Sequence, residues 1–279
     1  MGIARTALLA LIAIFGVSAA SAQDYKAALV APDTITVGTS GSAPPFSMTN
    51  AAGELEGFDI DVVNLVAKQL GLTAKFEKLD FAGLLPGLSA GRFDLIASGV
   101  TRTPERLASK DFFLLSPYIV NGAAITRREA DTGIASWKDV CGKTMGAVRG
   151  GAFQKVAKEK LPADCVTKSR EYPGATELFL DLENRRIDFA AHDFLGPKYL
   201  AKSGKLTGAV TLDDLLTTIT QSVAVSNKNK PLADAIDAQF ETWRKDGTLR
   251  AWPTNGSAPP STGRRLSKRA SAKDGGTWK

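Results

Sequence analysis

Apolar runs of strand length alternate with stretches of helical spacing over residues 34–97, and this alternation constrains the fold more than any other feature. Strands are predicted at Thr34–Thr39, Ala74–Glu77 and Asp94–Ala97. Between them, apolar residues recur at helical intervals, at Val62, Leu65, Val66 and Leu70 before a stop at Gly71, and at Leu84, Leu85 and Leu88. The pattern predicts an α/β fold with a largely parallel sheet, in which ligands bind at the carboxyl ends of the strands.

A second series of the same kind follows in the chain. Its predicted helices are Ile134–Val140, Ala152 toward Leu161, and Ala175–Glu183, and its predicted strands are Lys143–Val148, Val166–Ser169 and Ile187–Ala191. A possible strand at Tyr118–Val120 leads into this series, and a strand at Thr218–Val225 leads back to the first. Pro231–Lys245 is predicted to be an amphipathic helix. We therefore expect two α/β units.

The first 22 residues are typical of a secretory signal peptide. Arg5 gives a short basic start, and the apolar run Ala7–Val17 is too short to span a bilayer. Ala20-Ser-Ala22 then predicts cleavage before Gln23, where no cysteine offers a lipid anchor. We expect an exported, soluble protein.

The formal net charge of +6 comes almost entirely from the ends of the chain. Residues 253–279 carry six Lys and Arg residues against one Asp, whereas residues 23–252 hold 28 basic and 28 acidic residues. A neutral body lacks the clustered basic face that nucleic-acid binding requires, so no nucleic-acid partner is expected. Residues 253–279 are also rich in Pro, Ser and Gly, which predicts a disordered, solubilising tail.

Cys141 and Cys165 are the only cysteines of the chain. In an exported protein a disulfide between them is the default interpretation, and a loop of this length typically adds ~3 kcal/mol of stability. Two buried free thiols are the alternative. With a single histidine and no metal-binding spacing, we expect no metal and no other cofactor.

Arg106 lies in an unusual local setting. Thr103 and Pro104 predict the N-cap and first position of a short helix, which puts Arg106 in its first turn. A cation is unfavourable there, because the helix dipole favours anions at that end. The placement indicates that Arg106 is held for a carboxylate partner, with free backbone N–H groups near Gly99 and Thr101 as further donors. A surface ion pair with Asp111 is the alternative.

Other residues allow a functional and a structural interpretation. Phe46 is either core or a wall of a ligand cleft, and Phe81 is either a ligand-stacking ring or a packed loop aromatic. Arg149-Gly-Gly-Ala152 is a tight turn before a helix, which can present amides to an anion but is usually only a turn. Asp193 follows a strand and precedes a helix, where a plain N-cap would explain it.

The run Ser98-Gly-Val-Thr-Arg-Thr-Pro-Glu-Arg106, followed by a Phe-rich strand, resembles the signature of the family 3 periplasmic solute-binding proteins, the amino-acid receptors of ABC importers. The segment Gly53–Asp61 and the Asp-Gly-Thr-Leu249 end of the last helix are similar to the same family. The resemblance extends from about Asp33 to Trp252.

The resemblance implies a binding site. Arg106 and the amides near Gly99 and Thr101 would bind the ligand's α-carboxylate, the Gly151-Ala152 turn would add amides from the second unit, and Asp193 would bind the α-ammonium. The predicted lining is completed by three further residues, Phe46, Phe81 and Ser40.

The resemblance also implies a two-lobed periplasmic-binding-protein fold of type II, with a mixed, mostly parallel sheet in each lobe. Lobe 1 would comprise residues 33–121 and 220–252, and lobe 2 residues 122–219, joined by hinge segments near Val120–Ile125 and Thr217–Ser222. The protein would be a periplasmic monomer that closes on an amino acid or related carboxylate. An ABC permease in the inner membrane would then recognise the closed form.

The chain departs from the family pattern at positions that bear on the ligand. Many relatives carry an acidic residue where this chain has Ser40 and an aromatic one where it has Ala43, which weakens the case for a lysine- or arginine-like ligand. Val148 fits a modest or apolar side chain, Arg149 could reach an acidic one or point to solvent, and His192 is either a structural neighbour or part of the cleft.

Periplasmic cyclohexadienyl dehydratases resemble the same family, and an arogenate dehydratase-like enzyme is the alternative function. Such catalysis needs a general acid placed in the cleft. After Asp193 the chain reads Phe194-Leu-Gly-Pro197, without the Glu that those enzymes supply, and His192 is the one local substitute. A binding protein is therefore the preferred interpretation.

Overall fold

The computed structural model describes residues 25–165 and 167–249. The predicted signal peptide and the predicted tail lie outside the described residues. The α-helices of the described part include α1 Phe58–Gln69, α2 Phe81–Ser89, α3 Pro104–Leu107, α4 Phe153–Lys160, α5 Ala175–Glu183, α6 Leu195–Lys202 and α7 Lys230–Lys245. None of its helices is long and apolar enough to cross a membrane.

The strands are β1 Thr34–Thr39, β2 Ser42–Ala43, β3 Ser47–Thr49, β4 Leu55–Glu56, β5 Thr73–Lys78, β6 Leu95–Thr101, β7 Phe112–Leu114, β8 Ile119–Arg128, β9 Thr144–Val148, β10 Lys168–Tyr172, β11 Phe189–Asp193, β12 Ala209–Thr211 and β13 Thr217–Ser226. The main sheet has the order β10-β9-β11-β8-β13-β6-β1-β5. The pairs β1/β5, β1/β6, β9/β10 and β9/β11 are parallel, as the alternation of strands and helices predicts.

The two halves of this sheet meet at the long strands β8 and β13. These strands pair antiparallel from Thr217 opposite Ala123 to Gln221 opposite Ile119. Each continues into one half, since β8 pairs with β11 and β13 pairs with β6. The chain therefore passes between the halves only through strands that are hydrogen-bonded to each other, within the part the structure describes.

The buried apolar residues divide in the same way. Two clusters, around Phe189 and Leu178, draw only on residues between 123 and 219. The other two lie around Phe240 and Phe93 and, apart from Leu195, draw on residues before 120 or after 222. Separate cores on either side of the β8/β13 pair are what a two-lobed α/β fold requires.

Three predicted elements differ from those observed. Ile134–Val140 forms only a short 3₁₀ turn at Trp137–Asp139, held by reciprocal hydrogen bonds between Ser136 and Asp139. The strand predicted to end among the small residues after Ala97 continues as β6, because β13 pairs with it up to Thr101. The strand predicted at Val166–Ser169 is displaced to β10, where pairing with β9 sets its bounds.

Cys141 and Cys165 form a disulfide, which confirms the predicted pairing over two free thiols. The bond joins the turn before β9 to the segment before β10, two strands that lie side by side.

Candidate functional site

A cavity of about 40 Å³ lies between the two halves of the structure. Its walls come from the carboxyl ends of parallel strands in both halves: Ser40 follows β1, Thr101 ends β6, Val148 ends β9 and Asp193 ends β11. This is the position that the strand–helix alternation predicts for a ligand. A second, larger groove of about 650 Å³ lies beside it, and its charged lining residues are Glu105, Arg106, Lys155 and Glu159.

Arg106 is placed by the short helix α3. The Thr103 hydroxyl accepts the Arg106 N–H at 3.2 Å, so the predicted N-cap is confirmed. The guanidinium donates to the carbonyl oxygens of Thr101 and Gly150, at 3.0 and 2.9 Å, and lies 5.8 Å from the centroid of the Phe81 ring. It forms no ion pair with a carboxylate among residues 25–165 and 167–249, so the alternative pair with Asp111 is not observed.

Burial lowers the pKa of the Arg106 guanidinium, and the neighbouring Glu105 opposes this shift. A guanidinium nevertheless stays protonated in proteins. The side chain is thus a partly buried cation whose hydrogen-bond partners are carbonyl oxygens, an arrangement that favours the approach of an anion.

The turn before α4 opens onto the same cavity. Gly151 donates its N–H to the Val148 carbonyl at 3.0 Å, and both Gly151 and Ala152 line the cavity. No side chain caps the N-terminus of α4, whose Ncap residue is Ala152. The unfilled donors of an uncapped helix start can bind an anion.

Asp193 is the acidic residue among the cavity-lining side chains of the described chain, and it is 3% exposed. Its Oδ1 accepts from the Gly196 N–H at 2.7 Å and from the Asn121 side-chain amide at 3.0 Å. Asp193 therefore caps the start of α6 and also forms part of the cavity wall. Burial alone would raise the pKa of Asp193, but the contacts with His192, Gly196 and Asn121 outweigh it and lower that pKa.

His192 lines the cavity beside Asp193 and packs between two aromatic rings. The ring centroids of Phe153 and Phe179 lie 5.5 and 5.4 Å from its own. Its Nδ1 is 2.8 Å from Asp193 Oδ2 but lacks hydrogen-bond geometry, so this buried nitrogen has no hydrogen-bond partner among the described residues. His192 is therefore both a structural neighbour and part of the cleft.

The remaining predicted residues also line the cavity. Phe46 is 1% exposed, belongs to the apolar cluster around Phe240 and also lines the cavity. Phe81 begins α2 and faces the cavity next to Arg106. Ser40 Oγ lies 2.8 Å from Ser98 Oγ and accepts the Ser42 N–H at 3.2 Å.

Gly99 lines the cavity, but the prediction of a free N–H at this position is wrong. That N–H donates to Asp59 Oδ2 at 2.7 Å, and the Tyr118 hydroxyl donates to Asp59 Oδ1 at 2.8 Å. Gly99 has φ +62, and an added Cβ would lie 2.8 Å from the Phe46 ring, so glycine is required here. Its carbonyl accepts from Gln221 at 2.9 Å.

Sequence reasoning missed Asn121 and Gln221. The Asn121 amide donates to Gln221 Oε1 at 3.1 Å as well as to Asp193, and both residues are buried on the paired strands β8 and β13. An unbroken series of hydrogen bonds thus runs from Asp193 across the strand pair to Gly99. The sequence does show an amide side chain within each predicted hinge segment, and this could have indicated both residues.

The pKa of the buried Asp59 carboxyl is raised to about 6 by desolvation, against the lowering effects of the Gly99 and Tyr118 hydrogen bonds. A raised folded-state pKa contributes stability at low pH that is lost as the pH rises through about 6. We expect the unfolding free energy of the wild type, relative to Asp59→Asn, to be about 2 kcal/mol greater at pH 4.5 than at pH 7.5.

Chemical denaturation of the wild type and Asp59→Asn across this pH range measures the difference. The variant retains every other titrating group, so it serves as the reference for their contribution. A difference that does not change with pH would contradict the assignment to Asp59.

The two halves touch directly on both sides of the cavity. On one side Arg106 binds the Gly150 carbonyl, Lys155 pairs with Glu105, and Arg149 Nη2 lies 3.8 Å from Asp80 Oδ2. On the other side Ser42 Oγ donates to Thr176 Oγ1 at 3.3 Å. The two halves are therefore in direct contact around the cavity.

Comparison with known proteins agrees with the fold. Residues 35–253 match the family model of bacterial extracellular solute-binding proteins, family 3. The ABC transporter arginine-binding protein 1 of Escherichia coli (strain K12) is 30% identical over 223 residues, which cover 79% of this chain and 89% of that protein.

Two solved structures are similar over most of their length. An ancestral arginine-binding protein bound to arginine superposes with a TM-score of 0.72 at 30% identity, covering 78% of this chain and 95% of the other. An ancestral amino acid-binding protein, described as a precursor of cyclohexadienyl dehydratase, gives 0.70 at 27% identity, covering 85% and 95%. With a family model that spans most of the chain, this protein belongs to the bacterial extracellular solute-binding proteins of family 3.

Proposed function

We propose that the protein binds an amino acid between its two lobes and delivers it to an ABC importer. The observation that carries this proposal is Arg106, a cation in the groove beside the cavity, whose hydrogen-bond partners are carbonyl oxygens and which forms no ion pair with a carboxylate among the described residues. A ligand carboxylate would supply the missing counter-charge through two parallel hydrogen bonds.

The opposite charge of the ligand has a partner in the same cavity. Asp193 keeps a lowered pKa and is therefore an anion at neutral pH, and its Oδ2 faces only the His192 nitrogen among the described residues. An α-ammonium bound there would be paired, which makes burial of the charge tolerable. Arg106 and the uncapped start of α4 for the carboxylate, with Asp193 for the ammonium, form a site for a zwitterion.

We propose lobe 1 as residues 33–121 and 220–252, and lobe 2 as residues 122–219, with β8 and β13 as the hinge. Arg106 and Phe81 belong to lobe 1, while Asp193, Gly151 and Ala152 belong to lobe 2, so a bound ligand would touch both. Such a ligand favours closure, because a ligand shifts a conformational equilibrium only through contacts that differ between the states. The closed form would then be recognised by a permease, in the periplasm, as a monomer.

Thermal unfolding of the purified protein, freed of bound ligand, tests the proposal against three groups of compounds: α-amino acids, amines without a carboxylate, and carboxylates without an amine. A ligand at 100 times its dissociation constant stabilises by about 2.7 kcal/mol. We expect stabilisation by at least one α-amino acid and by no simple amine. If no α-amino acid stabilises the protein, the proposal is wrong.

The structural similarity to a dehydratase precursor, together with His192 in the cavity, favours one second candidate, a dehydratase of the cyclohexadienyl type. A binding protein is the better proposal, because only His192 and Asp193 are titratable among the described lining residues, and both contact each other. Prephenate belongs in the same assay. Turnover of prephenate or arogenate would establish the enzyme instead.

A further inference from the structure

We infer that the amino acid bound by this site has a short, uncharged side chain, and that basic amino acids are excluded. This inference rests on the proposed function and narrows it. The inferred ligand differs from arginine, the amino acid that the names of the relatives above give.

The first argument is the charge of the cavity wall. A basic amino acid carries two cations, its α-ammonium and its side chain, and each needs a partner when buried. Asp193 is the acidic member of the described lining, and its Oδ1 already accepts two hydrogen bonds. The serine side chains at positions 40, 42 and 98 carry no charge. If Asp193 binds the α-ammonium, the side-chain cation of arginine or lysine has no counter-ion.

The second argument is the room available. A cavity of about 40 Å³ holds about three water molecules. That space suits a compact molecule such as alanine or serine, whereas the extended side chain of arginine adds six heavy atoms beyond its Cβ. The wide groove beside Arg106 lies past the residue that would hold the carboxylate. Its lining carries Glu105 and Glu159 as well as Arg106 and Lys155, so it offers a side-chain cation no net negative charge.

The third argument is the closed wall at the far side from Arg106. Ser42 Oγ donates a hydrogen bond to Thr176 Oγ1, and Ser42 Oγ also accepts the Thr176 N–H at 3.4 Å. A Cβ added at Gly174 would lie 2.2 Å from Ser42 Oγ, so the lobes are in direct contact there. A long side chain could pass this point only by separating the lobes and breaking both hydrogen bonds.

The same features argue against an acidic side chain. Arg149 is the cation closest in sequence to the wall residue Val148, but its side chain is half exposed and lies near Asp80 at the rim. It is absent from the cavity lining, to which Val148 and Phe153 contribute apolar surface. The part of the wall formed by Val148 and Phe153 therefore suits an uncharged side chain.

Isothermal titration of the ligand-free protein with paired amino acids tests charge and size separately. Homoserine and 2,4-diaminobutyrate have the same length and differ by a neutral hydroxyl against an ammonium, and we expect about 100-fold weaker binding of the diamine. In the series alanine, norvaline, norleucine, we expect affinity to fall about 10-fold or more by norleucine. Arginine and lysine should bind at least as weakly as 2,4-diaminobutyrate.

The Ser40→Asp variant, with Ser40→Asn as its uncharged control of the same size, places a carboxylate in the wall. We expect 2,4-diaminobutyrate to bind about 10-fold more tightly to Ser40→Asp than to Ser40→Asn. Equal affinity of the two variants for the diamine would overturn the charge argument. Binding of arginine or lysine by the wild type as tightly as alanine would overturn the inference and leave the proposed function standing, whereas no binding of any amino acid would refute the proposed function itself.

Discussion

Arg106→Ala is expected to weaken amino-acid binding by at least about 100-fold, because two charge-assisted hydrogen bonds are lost and the ligand carboxylate is left buried without a counter-charge. The effect should fall equally on every ligand with a carboxylate, since the guanidinium contacts no other part of the molecule in the proposed complex. Isothermal titration with the amino acid found in the ligand screen measures it.

Two companion variants make this result specific. Arg106→Lys keeps the charge but loses the planar fork, so we expect an intermediate loss of affinity. Arg149→Ala is the control. Arg149 also contacts the other lobe, through Asp80, but it does not line the cavity, so the affinity of this variant for the amino acid should stay within a few-fold of the wild type. If Arg106→Ala binds the amino acid as tightly as the wild type, the assignment of Arg106 is wrong.

Stability has to be measured alongside affinity for Arg106→Ala. The wild-type side chain donates to the Thr101 carbonyl within lobe 1 and to the Gly150 carbonyl across the cleft. The hydrogen bond to Gly150 is exposed and the one to Thr101 is only partly buried, so we expect only a small change in the unfolding free energy without ligand. A ligand-free variant that unfolds as the wild type does, yet no longer binds, separates a binding role from a structural one.

The sequence predicted those parts of the site that depend on local chemistry. Thr103 and Pro104 specify the start of α3, and this helix determines the backbone position of Arg106. Asp193 was found because a strand end followed by a helix start is readable from the spacing of apolar residues. Capping and periodicity involve residues only a few positions apart, so both can be recognised in a single sequence.

The polar contacts that connect distant segments could not be predicted. Asp59 meets Gly99 and Tyr118 across separations of 40 and 59 positions, and Asn121 meets Gln221 across 100. No local pattern marks such pairs, because they form only when helices and strands from separate parts of the chain pack together. The prediction of a free N–H at Gly99 was wrong for this reason.

Long-range pairing also explains the errors in the elements. Small residues at Ser98 and Gly99 are typical of a strand end, but β13 supplies hydrogen-bond partners that carry β6 through to Thr101. β10 is mostly exposed along Lys168–Glu171, so its own sequence has little apolar pattern and its bounds follow from pairing with β9. Propensity is a weak guide where tertiary pairing decides.

Asp193→Asn is expected to weaken binding of α-amino acids by about 100-fold while changing the affinity for carboxylates without an amine by no more than a few-fold. The substitution is nearly isosteric. Its amide oxygen can still accept the Gly196 N–H that starts α6, so the cap is retained and the negative charge is removed. The loss should therefore depend on the ligand's ammonium group rather than on the fold.

Asp94→Asn is the matched control, since Asp94 is another buried aspartate that accepts two backbone N–H groups, from Val30 and Thr36, and does not line the cavity. This variant should lose stability without changing the ratio of affinities for ligands with and without an amine. If Asp193→Asn also leaves that ratio unchanged, Asp193 acts only as a cap, and the ammonium of the ligand must be held elsewhere. A changed ratio in Asp193→Asn alone would identify the buried carboxylate as the ammonium partner, because charge is the one property that the substitution removes at an otherwise preserved hydrogen-bond site.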